Sequence, residues 1–108
     1  MLKTEKIAQL NDKCRRFEAA CRWMFTQGIT TLSADDQRVV MRRVSEFDAF
    51  TPDNDPHNEH DFGSFDFNGE KIFWKFDYYA PGMESGSDDP SDEKQTVRVL
   101  TVMLAEEY

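Results

Sequence analysis

Hydrophobic residues recur at spacings of three and four over residues 4–21, which is the pattern of one face of an amphipathic helix. The stripe consists of Ile7, Leu10, Cys14, Phe17 and Cys21. On a straight helix, two residues seven apart have Cα atoms about 10 Å apart, beyond the reach of a disulfide. We therefore expect Cys14 and Cys21 to be reduced, small core residues of a protein in a reducing compartment.

A second helical pattern covers residues 33–47 and begins with a capping signal. Ser33 and Asp36 have the S-x-x-D spacing of a capping box. The buried stripe of this helix is marked by Val40, Val44 and Phe47. Between the two helices, residues 22–29 could extend the first helix, but their aromatic and β-branched side chains favour a short strand that Gly28 ends.

The second half of the chain contains the alternating pattern of β-strands. Residues 62–67 and 71–79 flank Asn68-Gly69, the strongest short signal for a two-residue hairpin turn. A last segment, residues 96–104, is rich in β-branched residues and predicts a final strand.

The two-residue turn defines the register of the hairpin. It places Asp66 opposite Lys71, which is a complementary charge pair, and Phe65 opposite Ile72, which is a packing pair. The longer strand has an apolar face that must be covered, formed by Ile72, Trp74, Phe76 and Tyr78. We predict a single α+β domain over residues 1–108, with two helices packed on one face of a small antiparallel sheet, in the order α-β-α-β-β-β.

Charge is distributed unevenly along the 108 residues, whose formal net charge is -8. Residues 1–50 contain nine Lys and Arg against seven Asp and Glu, whereas residues 51–108 contain four against fourteen, a net charge of -10. Because such a body repels nucleic acid, direct nucleic-acid binding is disfavoured, and a basic protein surface is the expected partner.

The patterns typical of a membrane span and of a secretory signal are not expected in this sequence. No apolar run approaches the ~18 residues of a membrane helix. Charged residues at Lys3, Glu5 and Lys6 interrupt the stretch where a secretory signal would need its apolar region. We expect a soluble cytoplasmic protein without a membrane partner, either monomeric or a homodimer joined through an exposed edge at the last strand.

The polar loop at residues 51–61 holds the densest set of metal-capable groups in the chain. These are Asp53, Asp55, His57, Glu59, His60 and Asp61. Carboxylates and imidazoles together could bind Zn²⁺ or Mn²⁺. Their spacing matches neither H-E-x-x-H nor an EF-hand, and we favour a solvated turn over a metal or catalytic site. No cofactor is predicted otherwise, and since no nucleophile or phosphate-binding motif is present, we lean against an enzyme.

A second group of residues is a candidate interaction surface, because tyrosine is a frequent anchor at interfaces and the neighbouring loop is acidic. Its members are Lys75, Asp77, Tyr78, Tyr79, Asp88 and Asp89. The acidic loop could hold Ca²⁺ through Asp88, Asp89, Asp92 and Glu93, but charge runs of this kind are usually solvated loops.

Several long strings of the sequence resemble a family of alphaproteobacterial proteins, domain of unknown function 3768. They are FDAFTPDNDP (47–56), EHDFG (59–63), FWKFDYY (73–79), GSDDP (86–90) and RVLTVMLAEEY (98–108). The resemblance covers the chain from Leu10 to Tyr108. It implies a small bacterial protein, often carried on mobile elements, with a short strand after the first helix. It implies no activity, and it points to the same polar loop and the same Lys75–Tyr79 segment.

Three functions follow from these observations, in order of preference. The first is a non-catalytic interaction or inhibitor module whose acidic half docks on a basic partner, including a nucleic-acid mimic acting on a defence nuclease or DNA-binding protein. The second is a small metal-dependent hydrolase that uses the Asp53–Asp61 loop. The third is a DNA-associated regulator that uses the helix arginines Arg15, Arg16, Arg22, Arg38, Arg42 and Arg43.

Overall fold

The computed structural model describes residues 1–108 as three helices and a four-stranded sheet. The elements are α1 (Lys3–Arg15), β1 (Arg22–Phe25), α2 (Gln27–Thr30), α3 (Ala34–Glu46), β2 (Phe62–Phe67), β3 (Glu70–Tyr79) and β4 (Val97–Leu104), with 3-10 turns at Glu93–Gln95 and Ala105–Glu107. The α+β class and the predicted order of elements are confirmed, and α2 is a single additional turn between β1 and α3. None of the helices has the length and apolar character needed to cross a membrane.

The sheet has the strand order β1-β4-β3-β2, and it is mixed where we expected it to be antiparallel throughout. β1 runs parallel to β4, with Arg22 beside Val99, whereas β4 and β3, and β3 and β2, are antiparallel. The long crossover through α2, α3 and the hairpin allows this parallel pairing. As a result β4 is central, and the expected edge at the last strand does not exist. The free edges belong to β1 and β2.

The β2–β3 hairpin has the predicted register. Asp66 pairs with Lys71 and Phe65 with Ile72. The turn residues Asn68 and Gly69 have φ values of 50° and 80°. Positive φ at both central positions is what a type I′ turn requires, and this turn matches the twist of the two strands.

The core lies between the helices and one face of the sheet. Trp74, Ile72, Leu100 and Val102 point from the sheet toward the helices and are fully buried, together with Val40 and Val44 of α3 and Cys14 of α1. α3 begins as predicted, because the Ser33 hydroxyl accepts a hydrogen bond from the Asp36 amide. This side of the sheet is called the covered face below.

α1 ends six residues earlier than predicted, and this changes the state of the cysteines. The Glu18 amide donates to the Lys13 carbonyl and the Phe17 amide to the Cys14 carbonyl, and Phe17 has a φ of 60°. These are the bonds of a Schellman motif, which normally has glycine at the left-handed position. The chain therefore reverses, and Cys14 and Cys21 form a disulfide with Cα atoms 5.8 Å apart. The prediction of reduced cysteines was wrong because it assumed a straight helix.

Candidate functional site

The polar loop between α3 and β2 folds around a buried carboxylate. Asp55 is almost completely inaccessible to solvent, and its Oδ1 accepts hydrogen bonds from the amides of Glu59 (3.0 Å) and His60 (3.2 Å). Asn58 and His60 both have positive φ. Because Asp55 Oδ1 accepts hydrogen bonds from two backbone amides of the same loop, Asp55 stabilises the loop conformation.

His60 is held on three sides. Its Nδ1 lies 3.0 Å from both carboxylate oxygens of Asp12 on α1, and its Nε2 lies 3.8 Å from the Asp55 carboxylate. The imidazole stacks on the Phe50 ring with centroids 3.9 Å apart. Since each ring nitrogen faces a carboxylate of the protein itself, the imidazole links the loop to α1.

Asp12 also pairs with Arg15, which is fully buried. One Arg15 amino nitrogen lies 2.7 Å from Asp12 Oδ1, and the other donates to the Val44 and Phe47 carbonyls at the C-terminal end of α3. Burial lowers the pKa of the Arg15 guanidinium, and its hydrogen bond with Asp12 opposes this shift. Arg15 is thus an internal cap of α3 and cannot be part of the surface arginine patch that the DNA-regulator hypothesis requires.

Three other arginines of that hypothesis, Arg22, Arg38 and Arg43, have different surroundings. Arg38 pairs with Asp35, and the Arg43 guanidinium lies over the Phe65 ring, 4.4 Å from its centroid. The Arg22 side chain lies on β1, on the opposite face of the sheet from α3, where it lines a groove described below.

Asn11 is the centre of a second network of buried polar side chains, next to the network of Asp12 and Arg15. Asn11 donates to the Glu59 carbonyl (3.0 Å) and to the Tyr78 hydroxyl (2.9 Å), and it accepts from Arg98 Nε (2.6 Å). Burial raises the pKa of Tyr78 and lowers that of Arg98. Of the residues predicted to form the interaction surface, Tyr78 is therefore half-buried on the covered side of the sheet, where it connects β3 to α1.

The remaining members of the predicted metal site do not converge. Asp53 and His57 are exposed, and Glu59 and Asp61 are half-buried, with pKa values that burial raises. No group of three His, Cys, Asp or Glu side chains is arranged to hold a metal ion. The structure therefore shows no ligand cluster in support of the metal-dependent hydrolase, which stays a prediction.

The face of the sheet opposite the helices, called the open face below, carries three of the predicted interaction residues. Lys75, Asp77 and Tyr79 alternate along β3 on this side. Lys75 Nζ lies 2.9 Å from Asp77 Oδ2, and this contact raises the pKa of Lys75. Asp88 is exposed in the following loop, whereas Asp89 accepts from Ser91 and pairs with Lys3. The structure therefore groups Lys75, Asp77 and Tyr79 and separates them from the other three.

A groove crosses the open face. It consists of two adjoining cavities, of about 330 Å³ and 400 Å³, that share Thr26, Asp77, Tyr79 and Thr101. Met83 closes one end, Glu107 and Tyr108 lie at the other, and Met24 of β1 forms one wall. Each cavity is in the size range of ligand sites, which are mostly apolar with a few polar groups.

Sequence reasoning missed the two methionines of this groove. Met24 is 53% exposed and Met83 37% exposed. The alternation Arg22-Trp23-Met24-Phe25 contained a signal, because a strand with Trp23 and Phe25 directed toward the core must direct Met24 away from it. Met83 gave no such signal, since it lies in the loop after β3 and has a φ of 60°.

Comparisons with known proteins give a family and nothing more specific. The profile of the family described as "Protein of unknown function (DUF3768)" matches residues 25–107, which confirms the resemblance noted in the sequence. No curated protein and no solved structure matches the chain. The matched residues include the polar loop and most of the open face, but α1 and the disulfide lie before them.

Proposed function

The chain belongs to the DUF3768 family, and we propose from its own geometry that it is a non-catalytic protein-interaction module that binds a basic partner through the open face. The observation that carries this proposal is a sheet face that α1 and α3 leave uncovered, crossed by a groove with the exposed Met24 and the half-buried Tyr79 in its lining. The helices bury the covered face, so the groove lies on the side of the sheet that a partner can reach.

The side chains of the groove suit a protein partner. Methionine is flexible and polarisable, and it is common on surfaces that adapt to a bound chain. Tyr79 adds an aromatic ring with a polar end, a frequent anchor at interfaces. Val99 and Met103 form the floor and are buried, so the groove has a firm base beneath its exposed walls.

Both carboxylate side chains that line the groove, Asp77 and Glu107, already have partners, which supports binding rather than catalysis. Lys75 and Asp77 form an ion pair. Glu107 accepts from the Thr26 hydroxyl (2.6 Å) and from the amides of Gly28 and Leu104 (both 2.9 Å). These bonds lower the pKa of Glu107. A general acid or base must exchange a proton with substrate, and neither pair leaves a group free to do so.

The charge around the groove favours a basic partner. Exposed acids lie near both ends of β3: Asp66, Glu70 and Glu106 at the hairpin end, and Glu84, Asp88 and Glu93 at the other. Ten residues of strand separate the two ends by about 30 Å. Such flanking charges steer an oppositely charged surface toward the groove. Two separated groups do not form the continuous carboxylate track of a nucleic-acid mimic, so we favour a basic protein with an apolar centre.

The test is an affinity capture from a bacterial lysate, read by mass spectrometry at low and high salt. The Met24→Ala/Tyr79→Ala double variant removes both exposed walls of the groove, and Val39→Ala on α3 is the matched control, because Val39 is also an exposed apolar residue. We expect one stoichiometric basic protein that the wild type and the control retain and the double variant loses, with weaker capture at high salt. Equal capture by all three proteins would exclude the open face as the binding site.

A further inference from the structure

One wall of the groove depends on a covalent bond. β1 contributes Arg22, Met24 and Phe25 to the lining, and Cys21 precedes it directly. The disulfide ties Cys21 to Cys14, which is 1% exposed and packed in the core at the end of α1. The bond therefore ties the start of β1 to the buried core.

Apart from the disulfide, β1 is held by its pairing with β4 and by Trp23 and Phe25, which pack against the core. The strand has four residues, pairs with β4 on one side only, and has a free outer edge. At its end the Thr26 amide donates to the Val102 carbonyl (3.2 Å). At its beginning, the support besides the disulfide comes from Trp23, whose ring stacks on Phe17 with centroids 4.7 Å apart. Phe17 itself has a left-handed backbone in the loop that the disulfide closes.

We propose that the Cys14–Cys21 disulfide is a reversible switch that sets the position of β1 and thereby the affinity of the open face for its partner. This inference rests on the proposed function, since it describes how that same groove is regulated. The oxidised form holds the wall of the groove in place and binds. The reduced form releases the loop at residues 16–20, lets Phe17 leave its left-handed conformation, and loosens the wall that carries Met24.

The bond is accessible from one side. Cys21 is half-buried and lines two surface cavities, one of them shared with Phe17, Ala20 and Trp23. A thiolate of a dithiol reductant can attack the Cys21 sulfur there, forming a mixed disulfide and releasing the Cys14 thiolate. The second thiol of the reductant then closes its own disulfide and releases Cys21. Two electrons and two protons pass to the protein, which ends with two thiols.

The experiment uses the whole protein in both redox states. Alkylation and mass spectrometry first count the free thiols before and after treatment with a dithiol. Hydrogen exchange then follows peptides that cover β1 and, as an internal reference, the β2–β3 hairpin. We expect at least tenfold faster exchange in β1 after reduction with little change in the hairpin, and a fall in Tm of about 10 °C from loss of the short cross-linked loop.

Binding of the captured partner is measured for the oxidised protein, the reduced protein and the Cys14→Ala/Cys21→Ala variant. We expect at least tenfold weaker binding in the last two, and no effect of the dithiol on the variant. The same affinity in both redox states, or unchanged exchange in β1, would overturn the switch, as would two free thiols after mild oxidation. If no partner depends on the open face, the proposed function fails, whereas the exchange data still decide whether the disulfide controls β1.

Discussion

The two faces of the sheet use polar side chains in opposite ways. On the covered face, Arg15, Asn11 and Arg98 are buried, and each joins elements that are distant in the sequence. On the open face, Lys75 pairs with its close neighbour Asp77, and the exposed residues of the groove include both the charged Arg22 and the apolar Met24. The difference shows that polarity alone does not locate a functional surface, because in this protein the densest polar network is structural.

We expect the largest effect from the removal of Arg15, the buried arginine on the covered side of the sheet. Arg15→Ala deletes the donors to the Val44 and Phe47 carbonyls and leaves Asp12 without its guanidinium in a half-buried position. We expect a loss of about 3–5 kcal/mol in the free energy of unfolding, the usual result of removing one partner of a buried ion pair. Urea unfolding measures it. Arg16→Ala, at an exposed position on the same turn, is the control and should change stability by less than about 0.5 kcal/mol.

Two adjacent tyrosines on opposite sides of β3 allow a second test, in which the expected change in stability is smaller. Tyr78→Phe removes the hydroxyl that accepts from Asn11, and we expect a loss of about 1 kcal/mol in the free energy of unfolding. Tyr79→Phe removes a hydroxyl on the open face and should leave stability unchanged while weakening partner capture. Equal destabilisation by the two substitutions in urea unfolding would show that the open face is as tightly organised as the covered one.

The smallest expected effect concerns pH. Burial raises the pKa of Asp61, near the covered face, whereas hydrogen bonds lower that of Glu107 at the groove. A raised carboxyl pKa costs stability at neutral pH, and this cost disappears as the pH falls toward the unfolded-state value. A lowered pKa adds stability above the unfolded-state value, and this contribution is lost as the pH falls through the folded-state value.

Carboxyl titration by NMR should therefore show the pKa of Asp61 above the ordinary aspartate value and the pKa of Glu107 below the ordinary glutamate value. Unfolding measured across the same range should show a slight gain in stability before the acid loss begins. Asp61→Asn should remove the gain, and Glu107→Gln should flatten the part of the acid loss that begins below Glu107's ordinary value. Shifts of the two pKa values in the opposite directions would contradict the assigned environments.

Local signals in the sequence were sufficient for the hairpin and for the start of α3. The Asn68-Gly69 turn determines the pairing of its own flanking strands, and the Ser33 cap acts within one turn of helix. The parallel pairing of β1 with β4 depends on where a long crossover places the strand, and no short pattern encodes it. The end of α1 was missed for a specific reason: Phe17 occupies the position where glycine usually marks a helix end.

The candidate sites also divide into features that local sequence patterns predicted and features that they did not. The alternation along β3 already placed Tyr78 with Ile72, Trp74 and Phe76 on the face to be covered, and this was at odds with its place in the predicted interaction surface beside Tyr79. The buried polar network left a trace in the sequence, since Asn11 and Arg15 lie four and eight residues after the buried Ile7 and thus beside the apolar stripe. The many acids and histidines in the loop at 51–61 suggested a metal or catalytic site. In the structure, Asp55 and His60 instead hold the loop in place.

The central position of β4 has a consequence for how the chain reaches its native state. The last strand in sequence lies between β1 and β3, and β1 pairs with it across roughly 75 residues. Closing so long a loop costs conformational entropy before stabilising contacts between the strands can form. We therefore expect this pairing to form late, after the hairpin. During synthesis the hairpin must wait for β4, with one edge of β3 unpaired. This interval, more than any property of the finished fold, is when the protein is most prone to aggregate.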